Sequence, residues 1–405
     1  MSNNTLGNST IVARETLAVL KNLLGVAQNM NRDYEPEFKN ALSKSYAAGQ
    51  TIYIPKPPRY TWRAGRVAQP QATVFNQVPL TLSQGGVDVN FTSAERTLSI
   101  TDDRAQAKIR AMAATIANEI DLQAAAIAYR STFNSVGTPG SAPATAAAAL
   151  GLITDAQAKL DLNAAPRDGQ RNFATGPLMN GSLVTGLAGL FNNSSRLNSQ
   201  YNRGVMVDSL GASFVMDQNI VTHTNGTQPV AALTVNGAGQ TGAALVTAAT
   251  TGTITRGTVF TIAGVFAVNP QNRMSTGQLQ QFVVTADVGT GATAVPISPS
   301  ITPTGNFQNV TASPANGALI TIVGTVGGSY PVNVAFHRDA FTFAMVPLES
   351  EAGLGADIKQ VTEEGWSIRY MRGRDIKTDE VIERMDVLFG IAPTYPELAT
   401  RVLGV

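Results

Sequence analysis

The sequence contains no cysteine. Disulfides and thiolate metal sites are therefore excluded, which fits a reducing compartment. Histidine is nearly absent as well: His223 and His337 are the only two in 405 residues, and neither lies in an HExxH spacing. No apolar run reaches the ~18 residues that a membrane span needs, so no membrane contact is expected. The opening "MSNNTLGNST" has neither a basic start nor an apolar stretch, and is not read as a secretory leader. Charge is scarce too. Asp, Glu, Lys and Arg make up 14% of the chain, against roughly a quarter in an ordinary soluble domain. The net charge of +1 gives no global pull toward nucleic acid or a membrane. Much of the scarcity lies in one block: from Gln218 to Arg338 the single acidic residue is Asp287. A surface so poor in charge suits contact with other protein.

Motifs that carry chemistry are missing in the same way. "GLGAD" (353–357) and "GAGQTG" (237–242) lack the lysine and the strand–helix context of a phosphate loop, and read as turns. His337 lies beside Arg338 and Asp339, but no GxSxG accompanies it. It reads as a hydrogen-bonded strand histidine. The expectation is a protein that is not an enzyme and takes no metal and no cofactor.

A hydrophobic share of 43% is enough for real cores, and the length suggests two or three domains. Residues 9–30 read as a helix that Ser9 or Thr10 can cap, with Leu17, Leu20, Leu23 and Leu24 as an apolar stripe in need of a partner. Residues 50–92 differ. Pro55, Pro57, Pro58 and Pro70 remove backbone donors, so this part reads as an extended arm. Within it "ATVFNQVPLTL" and "VDVNFTS" read as two strands joined at "SQGG". A lone hairpin is barely stable, so this ribbon should lie on something, most naturally another subunit. Residues 101–131 are the clearest helix. Thr101 can cap it, Asp102 and Asp103 favour its positive end, and Ile109, Met112, Ile116, Ile120 and Ile127 share a face. Its length would be about 45 Å. "TAAAALGLITDAQAKLDLN" reads as a further helix, "RNFATG" as a strand, and "PLMNGSLVTGLAGLF" as a helix opened by Pro177.

From about Thr227 to Pro331 the pattern is all β: short Thr- and Val-rich runs punctuated by Gly, Pro and Asn, as in a small barrel or sandwich. Phe260, Ile262, Phe266 and Val268 alternate onto one face, with smaller residues on the other. Beyond Pro331 mixed composition returns, and "WSIRYMRGRDIKTDEVIERMDVLFG" reads as two charged antiparallel strands turning between Asp375 and Asp379. An all-β insertion thus interrupts an α+β body.

In this order of elements, and in "AAGQTIYIPKP" (47–57), "SLGASFVMDQNI" (209–220), "TTGTITRGTVFTIAGV" (250–265) and "VNVAFHRDAFTFAMVP" (332–347), the chain resembles the major capsid proteins of tailed bacteriophages with the Hong Kong ninety-seven fold. Within that group it is most similar to the P-twenty-two-type coat proteins, which carry an extra β-barrel domain. The resemblance implies an α+β fold in which 1–48 is the N-terminal arm, 49–92 the extended two-stranded loop, and 93–150 the P-domain with its spine helix. The A-domain takes 151–226 and resumes at 332–348; 227–331 is the inserted barrel, and 349–405 returns to the P-domain as strands and tail. It implies a non-catalytic shell protein that assembles with itself into hexamers and pentamers. The further partners so implied are a scaffolding protein, a portal and non-specific contact with double-stranded DNA. The shell would be assembled in the bacterial cytoplasm and would end as the virion capsid. Where the family can carry a long acidic loop in the barrel, residues 236–252 here hold neither acid nor base.

One charge pattern bears on contacts. Between Glu37 and Asp88 there is no acid, but there are Lys39, Lys44, Lys56, Arg59, Arg63 and Arg66, interleaved with Tyr53, Tyr60, Trp62 and Phe75. Three readings are open: a nucleic-acid strip, a solvated loop, or a cationic arm docking on a neighbouring subunit. The resemblance favours the third, with Glu349, Glu351, Glu363, Glu364, Asp102 or Asp103 as acidic partners. The leucine stripe Leu17, Leu20, Leu23 and Leu24 is the candidate contact for scaffolding protein or a neighbour. A surface-layer or secreted β-rich protein is the rival reading, suited to the Thr/Gly/Asn-rich block.

Overall fold

Alanine lets the longest element form. Asp103–Ser131 is a single α-helix, α1, in which Met112, Ala113, Ile116, Ala117, Ile120 and Ala124 fill one buried stripe. Its last turn is closed by side chains: Ser131 Oγ donates to the Ile127 carbonyl at 2.7 Å and Thr132 Oγ1 to the Ala128 carbonyl at 2.7 Å. The computed structural model describes residues 17, 18, 20, 24–36, 38, 51–92, 103–143, 145–187, 210–348, 357–363, 365–375, 377, 378 and 380–405. Two compact units divide the chain. One gathers residues from Met1–Ile54, Val78–Ala124 and Thr342–Ala392, the other from Pro55–Gln77, Ala125–Phe341 and Pro393–Val405.

Strands are numbered in chain order. The first unit holds a two-stranded sheet of β1 (Thr51–Pro55) and β2 (Gln77–Thr81). A second sheet runs β15 (Thr342–Met345), β18 (Glu380–Ala392), β17 (Trp366–Asp375), β16 (Asp357–Glu363), and β3 (Ser83–Thr92) also pairs with β18. The predicted turn between two charged strands is there, with Asp375 opposite Glu380. The charges are used: the fully buried Asp386 accepts from Arg369 at 2.7 Å and Arg384 at 2.6 Å.

Three expectations change in this unit. "SQGG" is no turn: Gln84, Gly85 and Gly86 continue β3 in register with Leu388, Val387 and Asp386. A Cβ on Gly86 would collide with the Met385 carbonyl and the Asp386 carboxylate. The glycine therefore marks a close strand approach, the other meaning of Gly in a strand pattern. The leucine stripe is also not open surface. Leu17, Leu20 and Leu24 are buried in their own chain, because an apolar stripe finds its partner in the nearest core; Leu23 lies outside the described residues. The expected 9–30 helix stops early. Residues 17, 18 and 20 are helical, but from Gly25 the chain turns into a 3₁₀ segment at Ala27–Asn29. Asp121, fully buried on α1, fixes that bend by accepting the amides of Gly25 at 2.6 Å and Ala27 at 2.9 Å.

The second unit contains a mixed sheet in the order β4 (Ser135–Gly137), β19 (Ala399–Leu403), β14 (Ser329–His337), β5 (Arg171–Thr175), β6 (Ser213–Met216), with β7 (Thr222–Thr224) also on β14. Helices α2 (Ala146–Leu162) and α3 (Pro177–Leu187) fall where expected, and Thr145 Oγ1 caps α2 by accepting from Ala148 N–H at 3.2 Å. Ile153, Ala156, Met179 and Leu183 pack with Phe173, Ala335 and Val402. His337 ends β14 with Nε2 3.1 Å from Asp168.

Between β7 and β14 the chain leaves and returns on neighbouring antiparallel strands. It forms a six-stranded sheet of β8 (Leu233–Thr234), β13 (Leu319–Ile322), β10 (Val259–Val268), β11 (Ser275–Val284), β12 (Ala294–Ile301) and β9 (Gly242–Val246), in that order. The two end strands are bridged by Val235 and Thr247, so the sheet returns on itself. Sixteen apolar residues, among them Phe260, Ile262, Phe282 and Val295, fill its inside. Phe266, expected beside Phe260 and Ile262, is exposed instead, and Val265 is buried. Gly264 at φ +80° and a register shift between Thr261 and Phe266 mark the bulge that reverses the faces. The lone acid of the block, Asp287, accepts the Arg256 amide at 2.6 Å and so fastens a turn.

Where this sheet joins the body lies Arg401 of β19, buried in a site without a carboxylate among the described residues. Its Nε donates to the Thr132 carbonyl at 2.8 Å and Nη1 to the Gly257 carbonyl at 2.6 Å, while the guanidinium lies 5.6 Å from the Tyr129 ring centre. Burial pushes its pKa down to about 10, so it stays cationic at neutral pH and ties the end of α1, the insertion and the last strand together. Beside it His223 packs between Tyr129 and Tyr330 at ring distances of 5.8 and 5.7 Å. Asn225 Nδ2 donates to the Val323 and Thr325 carbonyls at 3.0 and 3.1 Å. Its Oδ1 is therefore the acceptor, and His223 Nε2, 3.1 Å away, carries the proton. Burial first, then the Arg401 charge, push the His223 pKa down from 6.5 to about 4, against the Asn225 bond.

Two outcomes are expected. Gly86→Ala should cost about 2–3 kcal/mol in chemical denaturation and loosen amide protection along β3 and β18. In the window from pH 6.5 down to about 4 the unfolded chain binds a proton at His223 that the fold rejects. Stability should therefore fall by about 2–3 kcal/mol as pH drops through that window. Urea midpoints at pH 7 and pH 4.5, with the His223 ring titration followed by NMR, check this; a ring that titrates near 6.5 contradicts it.

Candidate assembly interface

The arm between β1 and β2 is built without a backbone ladder. Pro55, Pro57, Pro58 and Pro70 carry no N–H, and beyond the Lys56 N–H to Asn76 carbonyl bond at 2.7 Å its two legs are joined by side chains. Thr61 N–H donates to Gln71 Oε1 at 2.8 Å, and Gln71 Nε2 donates back to the Thr61 carbonyl at 2.6 Å. Tyr60 Oη and Thr73 Oγ1 lie 3.1 Å apart. At the tip Arg63 donates to the Gly65 carbonyl, closing a turn in which Gly65 has φ +89°.

The cations divide into two groups. Arg59 pairs with Glu397 at 3.3 Å and its guanidinium lies 5.8 Å from the Phe307 ring centre. Lys56 lies 5.1 Å from the Tyr395 ring centre. Burial holds the Lys56 ammonium below its ordinary value of 10.5, with Glu397 opposing and Arg59 adding to the shift. Arg63 serves the tip turn, and Arg66 is exposed. Glu397 was not among the acids singled out from sequence. Of those, Glu349, Glu351, Glu364 and Asp102 lie outside the described residues, while Asp103 begins α1 and Glu363 ends β16. Nothing in the sequence advertises Glu397, because it sits in "TYPELAT", more than three hundred residues from its partner. The tyrosine-proline turn that presents it is the one usable signal.

The arm's apolar side chains meet no such partners. Trp62 is 94% exposed, Val67 78% and Phe75 63%. Large apolar groups gathered on one short segment mark a contact surface rather than ordinary surface scatter. Among the described residues no group of three or more His, Cys, Asp or Glu is placed to hold a metal.

The family model described as P22 coat protein, gene protein 5, matches residues 1–404. The chain belongs to the P22 coat protein family. It is thus a structural major capsid protein of a tailed phage. Among solved structures, a chain of Mycobacterium phage Che8 is similar over 93% of this chain and 89% of its own, with 15% identity and a TM-score of 0.50. The mature capsid of bacteriophage PhiM1 is similar over 89% of this chain and 83% of its own, at 7% identity and a TM-score of 0.43. The I-domain of the CUS-3 coat protein is 31% identical, covering 23% of this chain and 96% of its own, with a TM-score of 0.19. No curated protein matches the sequence.

For this coat protein the reciprocal Thr61–Gln71 bonds give the most direct check on how the arm keeps its shape. Gln71→Ala removes both. At a net worth of about 1 kcal/mol, amide exchange over residues 60–73 should rise roughly fivefold while the inserted sheet stays protected. Unchanged exchange in that segment would show that the legs are held by something else.

Proposed function

We propose that this coat protein builds a closed icosahedral shell of hexamers and pentamers around packaged double-stranded DNA, and that it does so without catalysis. In this reading the layout is that of the Hong Kong ninety-seven fold. The self-bridged six-stranded sheet within 227–331 is the inserted β-barrel, α1 the spine, and residues 51–81 the loop that reaches a neighbouring copy. The observation that carries the reading is the arm, shaped by its own hydrogen bonds while Trp62 stays 94% exposed. Burying one such ring removes about 150–250 Å² from water, worth about 4–6 kcal/mol before ordering costs. A modest contact of this kind, repeated around every capsomer, gives a durable shell by avidity while single errors still dissociate.

The remaining partners follow from the family. Scaffolding protein and a portal would guide closure in the bacterial cytoplasm. DNA would touch the inner surface weakly and without sequence preference, as a net charge of +1 allows. Arg63 and Arg66 are the arm cations left to meet acids such as Glu349, Glu351, Glu363, Glu364, Asp102 or Asp103 of another copy. The low charge of the insertion is a property of its wall: Thr, Gln and Asn cover a closed sheet whose stability comes from the apolar inside.

Cryo-electron microscopy of the protein expressed with its scaffolding protein tests the reading. Closed shells or polyheads, with density for residues 56–76 lying over an adjacent copy, are the expected result. Flat arrays, or a monodisperse monomer at high concentration, would overturn it.

A further inference from the structure

Two of the arm's cations, Arg59 and Lys56, meet partners in their own chain, Glu397 and Tyr395. A third contact reaches the arm from the insertion: Arg273 Nη2 donates to the Tyr60 carbonyl at 2.9 Å. Arg273 is held for this by the turn between β10 and β11. The Asn269 side chain accepts the amides of Gln271 and Asn272 at 2.9 and 3.3 Å, and the Arg273 amide donates to the Asn269 carbonyl at 2.9 Å. Arg273 itself sits at φ +56°, a left-handed conformation that residues with a Cβ avoid. With Glu397 it lines a cleft of about 400 Å³ against which Arg59 and Tyr60 lie.

A contact of this sort within one chain could be a latch, hiding the docking face until release, or a brace, holding that face ready. Exposure decides between them. With all three contacts made, Trp62 is 94% exposed, Val67 78%, Val74 50% and Phe75 63%. A latch that leaves the docking face open inhibits nothing. We infer that Glu397 and Arg273 brace the arm in cis, and that the surface Trp62–Val67–Val74–Phe75 so presented is the part that docks on a second copy. The cations orient the arm and the apolar tip binds. This rests on the shell-forming reading above. The second copy is the occupant because the exposed face is apolar, uncharged between Val67 and Phe75, and carried by a chain of the coat protein family. Orienting the arm beforehand removes ordering cost from each docking event.

Assembly with scaffolding protein, followed by light scattering, tests the division of labour in three variants. Glu397→Gln and Arg273→Gln should raise the critical concentration roughly three- to tenfold, speed amide exchange over 55–77 in the unassembled subunit, and leave finished shells normal in form. Trp62→Ala should abolish assembly in the same concentration range with exchange over 55–77 unchanged. Assembly of Glu397→Gln at lower concentration than wild type would reveal a latch and overturn the inference. Normal assembly of Trp62→Ala, or unchanged exchange in both brace variants, would overturn it equally. If wild type itself forms no shells, the failure belongs to the shell reading rather than to the brace.

Discussion

Between Pro55 and Pro70 the backbone has few hydrogen bonds to give, since four of its residues carry no N–H. A segment so deprived must satisfy itself through side chains or collapse onto a core. This chain does the first: Thr61 with Gln71, Tyr60 with Thr73, Arg59 with Glu397. These polar groups are used inside the subunit, while Trp62, Val67 and Phe75 face water beside the exposed Arg66. Of the charges that look in the sequence like the means of docking, Arg59 pairs with Glu397 and Arg63 closes the tip turn within the chain.

The same sparing use of charge runs through the second unit. Arg401 is buried with carbonyls and a tyrosine ring in place of a carboxylate, and its partners lie at the end of α1 and in the insertion. Such a cation is costly to desolvate, yet it satisfies the Thr132 and Gly257 carbonyls at once, at the junction where the insertion leaves the body. Asp121 does the equivalent in the first unit, with one carboxylate holding two amides of a bend nearly a hundred residues away. Few charges are present, and those few are placed where separate segments must be held in register.

Long periodic elements were legible in the sequence, because their signal is local. The long helix α1, α2, α3 opening at Pro177 and the β17–β18 turn at Asp375 all depend on residues within a few positions of one another. The charge-poor β insertion was legible by composition. The errors have a common cause. "SQGG" carries the composition of a turn, but β18 of a distant segment lies so close that only glycine fits. Alternation predicted Phe266 inward, and a single bulge at Gly264 reversed it.

Sequence alone therefore determined the family, the element order and the existence of a proline-rich arm, since each is written in local composition and spacing. Tertiary structure decided which charges are used internally and which surfaces stay open. Glu397 meets Arg59, and Arg273 meets Tyr60, only because folding brings positions hundreds of residues apart within 3.3 Å and 2.9 Å. Pairing of that range depends on the path of the whole chain, which no local pattern encodes.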